Sequence, residues 1–148
     1  MSHSSESIDL PVKLLNEFAT LPKKMTAGSA GFDLYSPQDA TIQPNSDFLL
    51  KLGISIAIPT GFHGQIWPRS GLDLKYRITT GAGMIDSDYR DELGILLRNL
   101  SNTEYNIKRG DRVGQIVFVQ TAPINNCISV SSLEATRREG GFGSTGIN

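Results

Sequence analysis

Cysteine and histidine are scarce in this 148-residue chain, and their scarcity excludes several kinds of site. One cysteine, Cys127, allows neither an internal disulfide nor a cysteine-based zinc cluster. The two histidines, His3 and His63, lie far apart, and the H-x-E and P-C-x-x-C motifs of zinc deaminases do not occur. We expect Cys127 to be a buried thiol in a short apolar strand, and His63 to be an exposed loop residue.

Charge of one sign and long apolar runs are also missing. The formal net charge is -1, which gives no electrostatic reason to expect a nucleic-acid polymer or a membrane surface as partner. No apolar run approaches the roughly 18 residues that a membrane span needs. Residues 1–7 have neither the basic region nor the apolar stretch of a signal peptide, and we interpret them as a disordered polar tail. Together with the single cysteine, this favours an intracellular protein of the cytoplasm or nucleus.

Two common catalytic motifs are absent, and a third pattern stands in the wrong context. The sequence contains neither a P-loop nor a G-x-S-x-G element. Residues 141–146, GFGSTG, match the dinucleotide-binding pattern G-x-G-x-x-G, but that pattern must open a helix and only two residues follow it here. We therefore do not interpret it as a Rossmann turn.

Glycine and proline are plentiful and separate short apolar segments, as is typical of a single all-β sandwich or barrel. Strict alternation of apolar residues over 50–58 predicts a strand with one buried face. The same pattern over 8–14, interrupted by Pro11, predicts an edge strand, and 94–97 and 115–119 predict more fully buried strands. Helical signal is limited to SGLDLKY at 70–76 and one helical turn at 133–137.

Acidic side chains cluster in GMIDSDYRDEL, residues 83–93, around Asp86, Asp88, Asp91 and Glu92. The stretch is open to two interpretations. One is a solvated hairpin. The other is a site in which a carboxylate acts as general base while a metal ion or arginines offset the negative charge.

Two further stretches are ambiguous when taken alone. Asp33 lies inside the apolar AGFDLYS stretch (30–36), either as a solvent-facing strand residue or as an oxygen ligand for Mg²⁺ reached through water. PRSG at 68–71 forces a sharp turn in which a guanidinium, a hydroxyl and exposed N–H groups would suit a phosphate.

Taken together and in order, five stretches resemble the five ordered motifs of the dUTPase family: AGFDLYS, PRSGL, GMIDSDYRDEL, GDRVGQIVF and R-x-x-GGFGSTG. The resemblance covers about residues 8 to 146. It implies a β domain over 8–136, built as a distorted jelly roll or β-clip barrel with at most one short helix, and a flexible C-terminal lid over 137–148. Each motif occurs once, in the order of the homotrimeric enzymes, whose active sites are shared between subunits.

The resemblance also implies an activity and a role for each matching residue. Family members hydrolyse dUTP to dUMP and pyrophosphate with Mg²⁺. Asp86 would activate the water that attacks the α-phosphorus, and Asp33 would hold Mg²⁺ through water. Substrate contacts would come from Arg69, Ser70, Gly71, Gly83, Ile85, Tyr89, Gln115, Arg137, Phe142, Gly143, Ser144 and Thr145. Among these, Tyr89 would pack on the deoxyribose, the backbone at Gly83 and Ile85 would meet the uracil edge, and Phe142 would stack on the uracil.

Two positions depart from the family pattern, and two other functions stay open. Asp91 and Arg138 stand where the family usually has glycine; the glycine replaced by Asp91 suggests a tight or positive-φ backbone. A dCTP deaminase shares the fold and much of the PRSG loop, and a non-catalytic binding or signalling protein would retain the fold alone. The complete third motif favours dUTP hydrolysis over both.

Overall fold

The structure, a computed structural model, describes residues 6–141. This part of the chain holds eleven strands and one α-helix. In chain order they are β1 (Val12–Leu14), β2 (Gly31–Tyr35), β3 (Ala40–Ile42), β4 (Ser46–Lys51), β5 (Ile54–Ile56), β6 (Phe62–Trp67), α1 (Ser70–Tyr76), β7 (Ile78–Gly81), β8 (Met84–Ile85), β9 (Gly94–Asn99), β10 (Tyr105–Ile107) and β11 (Arg112–Gln120). The prediction of a β-rich fold with one short helix is confirmed.

The strands form two main sheets and two short ribbons, with every neighbouring pair antiparallel. The larger sheet has the order β2-β11-β6-β8, the smaller has the order β4-β9-β7, and the ribbons are β1-β5 and β10-β3. These four sheets remain separate over residues 6–141, so no closed barrel forms there. Buried side chains from both main sheets and both ribbons make one core cluster.

Alternation over residues 50–58 describes the core correctly but not the strand boundaries. Leu50, Leu52, Ile54, Ile56 and Ile58 are all buried, as period-two patterning predicts. The predicted single strand is nevertheless two strands, β4 and β5, because Gly53 has a φ of 71°. Gly53 N–H donates to Glu92 Oε2 at 2.9 Å, and Gly53 O accepts from Leu15 N at 2.8 Å.

The other predicted strands occur, with smaller differences. The stretches expected to be fully buried are so only in part: residues 94–97 of β9 alternate between half-buried and buried, and within 115–119 of β11 only Ile116 is buried. β1 is an edge strand as predicted, since within residues 6–141 it pairs with β5 alone. Helix α1 covers the predicted residues and is anchored by buried Leu72. It ends at Tyr76, and the C-cap residue Arg77 has a left-handed φ of 58°.

Asn99, at the end of β9, is a buried polar residue that organises the following turn. Its Nδ2 donates to Ile42 O at 3.1 Å and to Thr103 O at 2.8 Å. Its Oδ1 accepts from Ser101 N at 3.0 Å and from Ser101 Oγ at 2.7 Å. All hydrogen-bonding groups of the amide are therefore used, which is the condition for burying one without a large penalty.

Residues 121–141 contain no helix or strand and are exposed throughout. The predicted turn at 133–137 is therefore wrong. Cys127 is exposed rather than buried in a strand, because none of the strands described over residues 6–141 includes it. The prediction for His63 is also wrong: it is half-buried in β6, with Nδ1 2.8 Å from Thr121 Oγ1.

No helix within residues 6–141 is long and apolar enough to span a membrane.

Candidate active site

Strand β11 lies at the centre of the candidate site. Gln115 is paired with Asp33 on β2 and with Trp67 on β6, so one residue borders two of the predicted motifs. Its side-chain Nε2 donates to Pro68 O at 3.2 Å. Gly31, on the neighbouring strand, makes room for it, because a Cβ at Gly31 would lie 2.4 Å from Gln115 Oε1.

The PRSG loop follows β6 directly and leads into α1. Arg69 is half-buried, and its Nη1 donates to Arg112 O at 3.2 Å. Ser70 and Gly71 begin the helix and are exposed, with open space where a Cβ at Gly71 would point. Beside the loop is a cavity of about 490 Å³ lined by Met25, Tyr35, Arg69, Tyr105, Gly110, Asp111 and Arg112. A concave surface with two guanidinium groups suits an anion.

The half-buried phenol of Tyr105 lines one side of this cavity. Burial raises the pKa of Tyr105 above its usual 10.0; the Asp111 carboxylate and the Tyr76 phenol add to the rise, and the Arg69 guanidinium opposes it. The ring centroids of Tyr76 and Tyr105 lie 5.3 Å apart. Tyr105 is therefore neutral at physiological pH and adds no negative charge to the anion-binding surface.

Asp33 is a poorly solvated carboxylate near the same cavity. Its side chain is 14% exposed, and Oδ2 is buried without a hydrogen-bond partner. Arg112 Nη1 lies 3.7 Å from that oxygen, beyond hydrogen-bonding distance. The backbone is fixed, since Asp33 N donates to Lys23 O at 2.7 Å and Lys23 N donates to Asp33 O at 3.3 Å.

Asp86 lies in a turn immediately after β8. The backbone of this turn is held by a bond from Tyr89 N to Asp86 O at 3.2 Å and by Arg90 Nη1, which donates to Ser87 O at 2.6 Å and to Tyr89 O at 3.0 Å. The Asp86 carboxylate itself is exposed and makes no hydrogen bond or ion pair with any residue from 6 to 141. A fixed backbone with an unengaged carboxylate is suited to binding a water molecule or accepting its proton.

The rest of this motif is ordered without backbone strain. Tyr89 is partly exposed and its hydroxyl donates to Glu92 O at 3.0 Å. Asp91, expected from the family's glycine to need a tight or positive-φ backbone, does not have a positive φ. Asp91 is thus accommodated without the left-handed conformation that disfavours most side chains.

Gly83 and Ile85, predicted to face uracil through their backbone, lie against β6. Gly83 O accepts from Ile66 N at 2.8 Å, and Ile85 is buried. A Cβ at Gly83 would lie 2.8 Å from Ile66 O. Close packing against β6 is thus one local reason for glycine at this position, and the approach of a base, which the motif predicts, stays a prediction.

The predicted residues fall into two groups at opposite ends of the β6–β8 pairing. Ile85 pairs with Gly64, and the chain then runs antiparallel to β6 into Asp86, away from Trp67 and the PRSG loop. The three residue-to-residue steps from Gly64 to Trp67 alone span about 10 Å. One chain thus brings Asp33, Arg69 and Gln115 to the same region but leaves Asp86 elsewhere.

The remaining predicted residues lie in or beyond the exposed C-terminal segment. Arg137 is exposed. Phe142, Gly143, Ser144 and Thr145 lie outside the described residues. Over residues 6–141, no three His, Cys, Asp or Glu side chains come together as a metal site.

Arg112 is the residue at this site that the sequence interpretation missed. It lies beside both Asp33 and Arg69, although only Gln115 was singled out in its motif. Gly114 is the signal that could have indicated it, because glycine inside a strand often marks a bulge, which redirects neighbouring side chains.

Comparison with known proteins gives a consistent result over nearly the whole chain. The family model described as dUTPase matches residues 17–146. The deoxyuridine 5'-triphosphate nucleotidohydrolase of Fowlpox virus is 45% identical over 143 residues, which cover 94% of this chain and 98% of the viral protein.

Solved structures agree with the sequence comparison. A variant dUTPase of Staphylococcus bacteriophage 80alpha with dUpNHpp has a TM-score of 0.87 and 26% identity, covering 95% of this chain and 100% of the phage chain. A variant dUTPase from phage phi11 of S. aureus, described as revealing coordination of a structural Mg(II) ion, has a TM-score of 0.81 and 25% identity, covering 86% and 100%. With its sequence, motif order and fold in agreement, this chain belongs to the dUTPase family.

Proposed function

We propose that the chain hydrolyses dUTP to dUMP and pyrophosphate. Family membership supports this reaction. The observation in this chain that most directly supports it is the geometry of the turn containing Asp86. Its backbone is fixed by Tyr89 and Arg90, while the carboxylate of Asp86 stays unengaged. Asp86 would accept a proton from water as the water oxygen attacks the α-phosphorus, and the bond to the leaving pyrophosphate would break.

Substrate-binding roles follow from the placement of the other residues. Arg69, with the hydroxyl of Ser70 and the N–H groups of that loop, would contact phosphate oxygens, and Gly71 leaves the approach open. Gln115 would add a neutral hydrogen bond. Tyr89 would pack on the deoxyribose, and the backbone of Gly83 and Ile85 would meet the uracil. Arg137 and residues 142–145 would close over the bound nucleotide.

Asp33 fits a role in holding Mg²⁺. Its Oδ2 is a buried hard oxygen with an unused lone pair, the type of atom that suits Mg²⁺ bound through water. The bound ion would offset negative charge on the triphosphate. Because no cluster of three ligands exists within residues 6–141, the other ligands would be water, substrate phosphates or residues of other subunits.

We further propose a homotrimer in which each site combines residues of different chains. The separation of Asp86 from Arg69 along β6 supports this, since one chain alone does not bring base and phosphate contacts together. Residues 121–141 support it too. They expose four large apolar side chains, Ile124, Ile128, Val130 and Leu133, which a neighbouring subunit would cover. We place the enzyme inside the cell, in the cytoplasm or nucleus.

The reaction is tested by measuring pyrophosphate release from dUTP, dCTP, dTTP and UTP, each with Mg²⁺ and with EDTA. We expect metal-dependent release from dUTP alone. Ammonia release from dCTP would instead indicate a deaminase, and dUTP binding without hydrolysis would indicate a binding protein that retains the fold.

Sharing of the site is tested by complementation between two inactive variants. Asp86→Asn and Arg69→Gln chains are refolded separately and as an equal mixture, and the mass of the assembly is measured by sedimentation. If each site takes Asp86 from one chain and Arg69 from another, the mixture regains activity at roughly a quarter of its sites. A mixture as inactive as its components, or a particle of 16.1 kDa, would contradict the shared site.

A further inference from the structure

Strand β11 contains an irregularity immediately before the site. Arg112 is paired with Tyr35 of β2, but the next pair is Gly114 with Leu34, so Val113 is an extra residue. Such a residue is a β-bulge, which changes the direction of the side chains that precede it.

The bulge decides which face of the sheet Arg112 occupies. Asp33 and Tyr35 share one face of β2, and their partners Gln115 and Arg112 share it too. In a regular strand Val113 would oppose Tyr35 and Arg112 would point to the core face. With the bulge, Val113 is 2% exposed in the core and Arg112 joins the polar face.

On that face Arg112 lies beside Asp33, the residue proposed to hold Mg²⁺, and beside Arg69, a residue proposed to bind phosphate. Its Nη1 lies 3.7 Å from Asp33 Oδ2 and 3.3 Å from Met25 Sδ. Its carbonyl oxygen accepts the bond from Arg69 Nη1 at 3.2 Å. The Arg112 side chain is 37% exposed, so its guanidinium also has access to the adjoining cavity.

Arg112 is the only described residue that forms an ion pair with Asp33. The separation of 3.7 Å is too long for a hydrogen bond, so the pair neutralises charge without using the lone pair of Oδ2. A cation that binds Asp33 must share the carboxylate with this guanidinium or displace it. Arg112 thus opposes metal binding at Asp33 while it stabilises the metal-free carboxylate.

We propose that Arg112, turned toward Asp33 by the bulge at Val113, is a positioning residue that acts as counter-ion to Asp33 in the nucleotide-free protein and sets the Mg²⁺ concentration at which the site is loaded. This inference rests on the proposed function. In the loaded site the guanidinium is free to turn toward the phosphate oxygens in the cavity.

The ion pair is tested first, in the full chain and without nucleotide. Thermal unfolding is measured for wild type, Arg112→Gln, Asp33→Asn and the double variant. We expect Arg112→Gln to lower Tm by about 2–4 °C when Asp33 is present and much less when Asn replaces it. Arg112→Lys retains the positive charge, so we expect a smaller decrease in Tm. It also provides a second variant if Arg112→Gln folds poorly. Equal losses in both backgrounds would show a packing role and overturn the proposal.

The control of metal loading is tested second, by titrating Mg²⁺ during dUTP hydrolysis. Because the competing cation is gone, we expect Arg112→Gln to need roughly fivefold less Mg²⁺ for half-maximal rate. Arg98→Met is the matched control: it removes an arginine that pairs with Asp47 at 3.4 Å on the exposed surface, and should not shift the midpoint. An unchanged midpoint in Arg112→Gln would overturn the proposal. Absence of hydrolysis by the wild type would instead count against the proposed function, while the unfolding experiment would still measure the ion pair.

Discussion

The side-chain Nε2 of Gln115 donates to the carbonyl oxygen of Pro68 over 3.2 Å. This bond joins the central strand β11 to the loop that carries Arg69. It requires Gly31 next to it, because the space of a Cβ there is taken by Gln115 Oε1. A glycine on β2 thus controls the position of a side chain that faces the proposed triphosphate.

Gly31→Ala should therefore affect catalysis more than stability. The new methyl group displaces the end of a flexible side chain, so the free energy of unfolding should change by less than about 1 kcal/mol. Displacement of the amide should lower kcat/KM by up to about 100-fold. The comparison is with Gln115→Ala. If the two substitutions act through the same side chain, the double variant should be no worse than Gln115→Ala alone; additive losses would refute this explanation.

Asp86→Asn should abolish most activity and leave the fold intact. The carboxylate makes no hydrogen bond or ion pair within residues 6–141 that asparagine would break, so Tm should stay unchanged. Loss of a positioned base should lower kcat by about 10²–10⁴-fold. Asp88→Asn, in the same exposed turn, is the matched control and should retain activity. Comparable losses in both variants would mean that the charge of the turn matters rather than proton transfer at Asp86.

Gly83→Ala should destabilise the protein. Its Cβ would meet the main-chain oxygen of Ile66 at 2.8 Å, and backbone in the middle of a sheet cannot easily move. We expect a loss of about 1–3 kcal/mol in the free energy of unfolding, measured with urea. Gly28→Ala is the control, since nothing lies within 4 Å of the Cβ it would add. Stability like that of the control, with impaired dUTP binding, would favour a direct role of Gly83 toward the base.

Tyr105 should make stability depend on pH in the alkaline range. Burial raises its pKa in the folded chain, so the unfolded chain loses this proton first as the pH rises past 10.0. The folded state then binds more protons than the unfolded state, and the free energy of unfolding falls until the folded pKa is passed. Tyr105→Phe should reduce this fall, which urea unfolding at several pH values would measure. If the free energy of unfolding of Tyr105→Phe falls with pH as steeply as that of the wild type, the assignment to Tyr105 is contradicted.

The same phenol reports the position of Arg69. Because the guanidinium lowers the pKa of Tyr105, Arg69→Gln should raise it further. Phenolate absorbance is followed with pH, and Tyr105→Phe identifies its contribution among the four tyrosines. An unchanged titration would mean that Arg69 does not face Tyr105 in solution.

Local patterns in the sequence predict those features of the fold that are determined by residues close together along the chain. Alternation at residues 50–58 gives the buried face, and the short SGLDLKY segment gives the helix. The break at Gly53 depends on Glu92, thirty-nine residues away, and cannot be read from local periodicity. Cys127 fails for a related reason, since an apolar stretch is a buried strand only if a partner strand lies beside it.

In the candidate site, too, the local motifs predict some features, while others depend on residues far apart in the sequence. Motif order identifies Asp33, Arg69, Asp86 and Gln115, but it does not reveal that Asp86 lies away from the others in one chain. The role of Arg112 depends on a single unpaired residue in the β11–β2 register, which only the structure defines. Motifs thus predict which groups take part, while register determines where each one points.

The turn after β9 has a consequence for how the protein ages. An asparagine deamidates when the main-chain nitrogen of the following residue attacks its side-chain carbonyl carbon. For Asn99 that nitrogen belongs to Leu100, and it donates to Arg77 O at 3.0 Å. The amide it would attack is held by four bonds, to Ile42, Thr103 and Ser101. The contacts that shape this turn therefore also protect Asn99 from slow chemical conversion to aspartate, which would place an unmatched charge in the core.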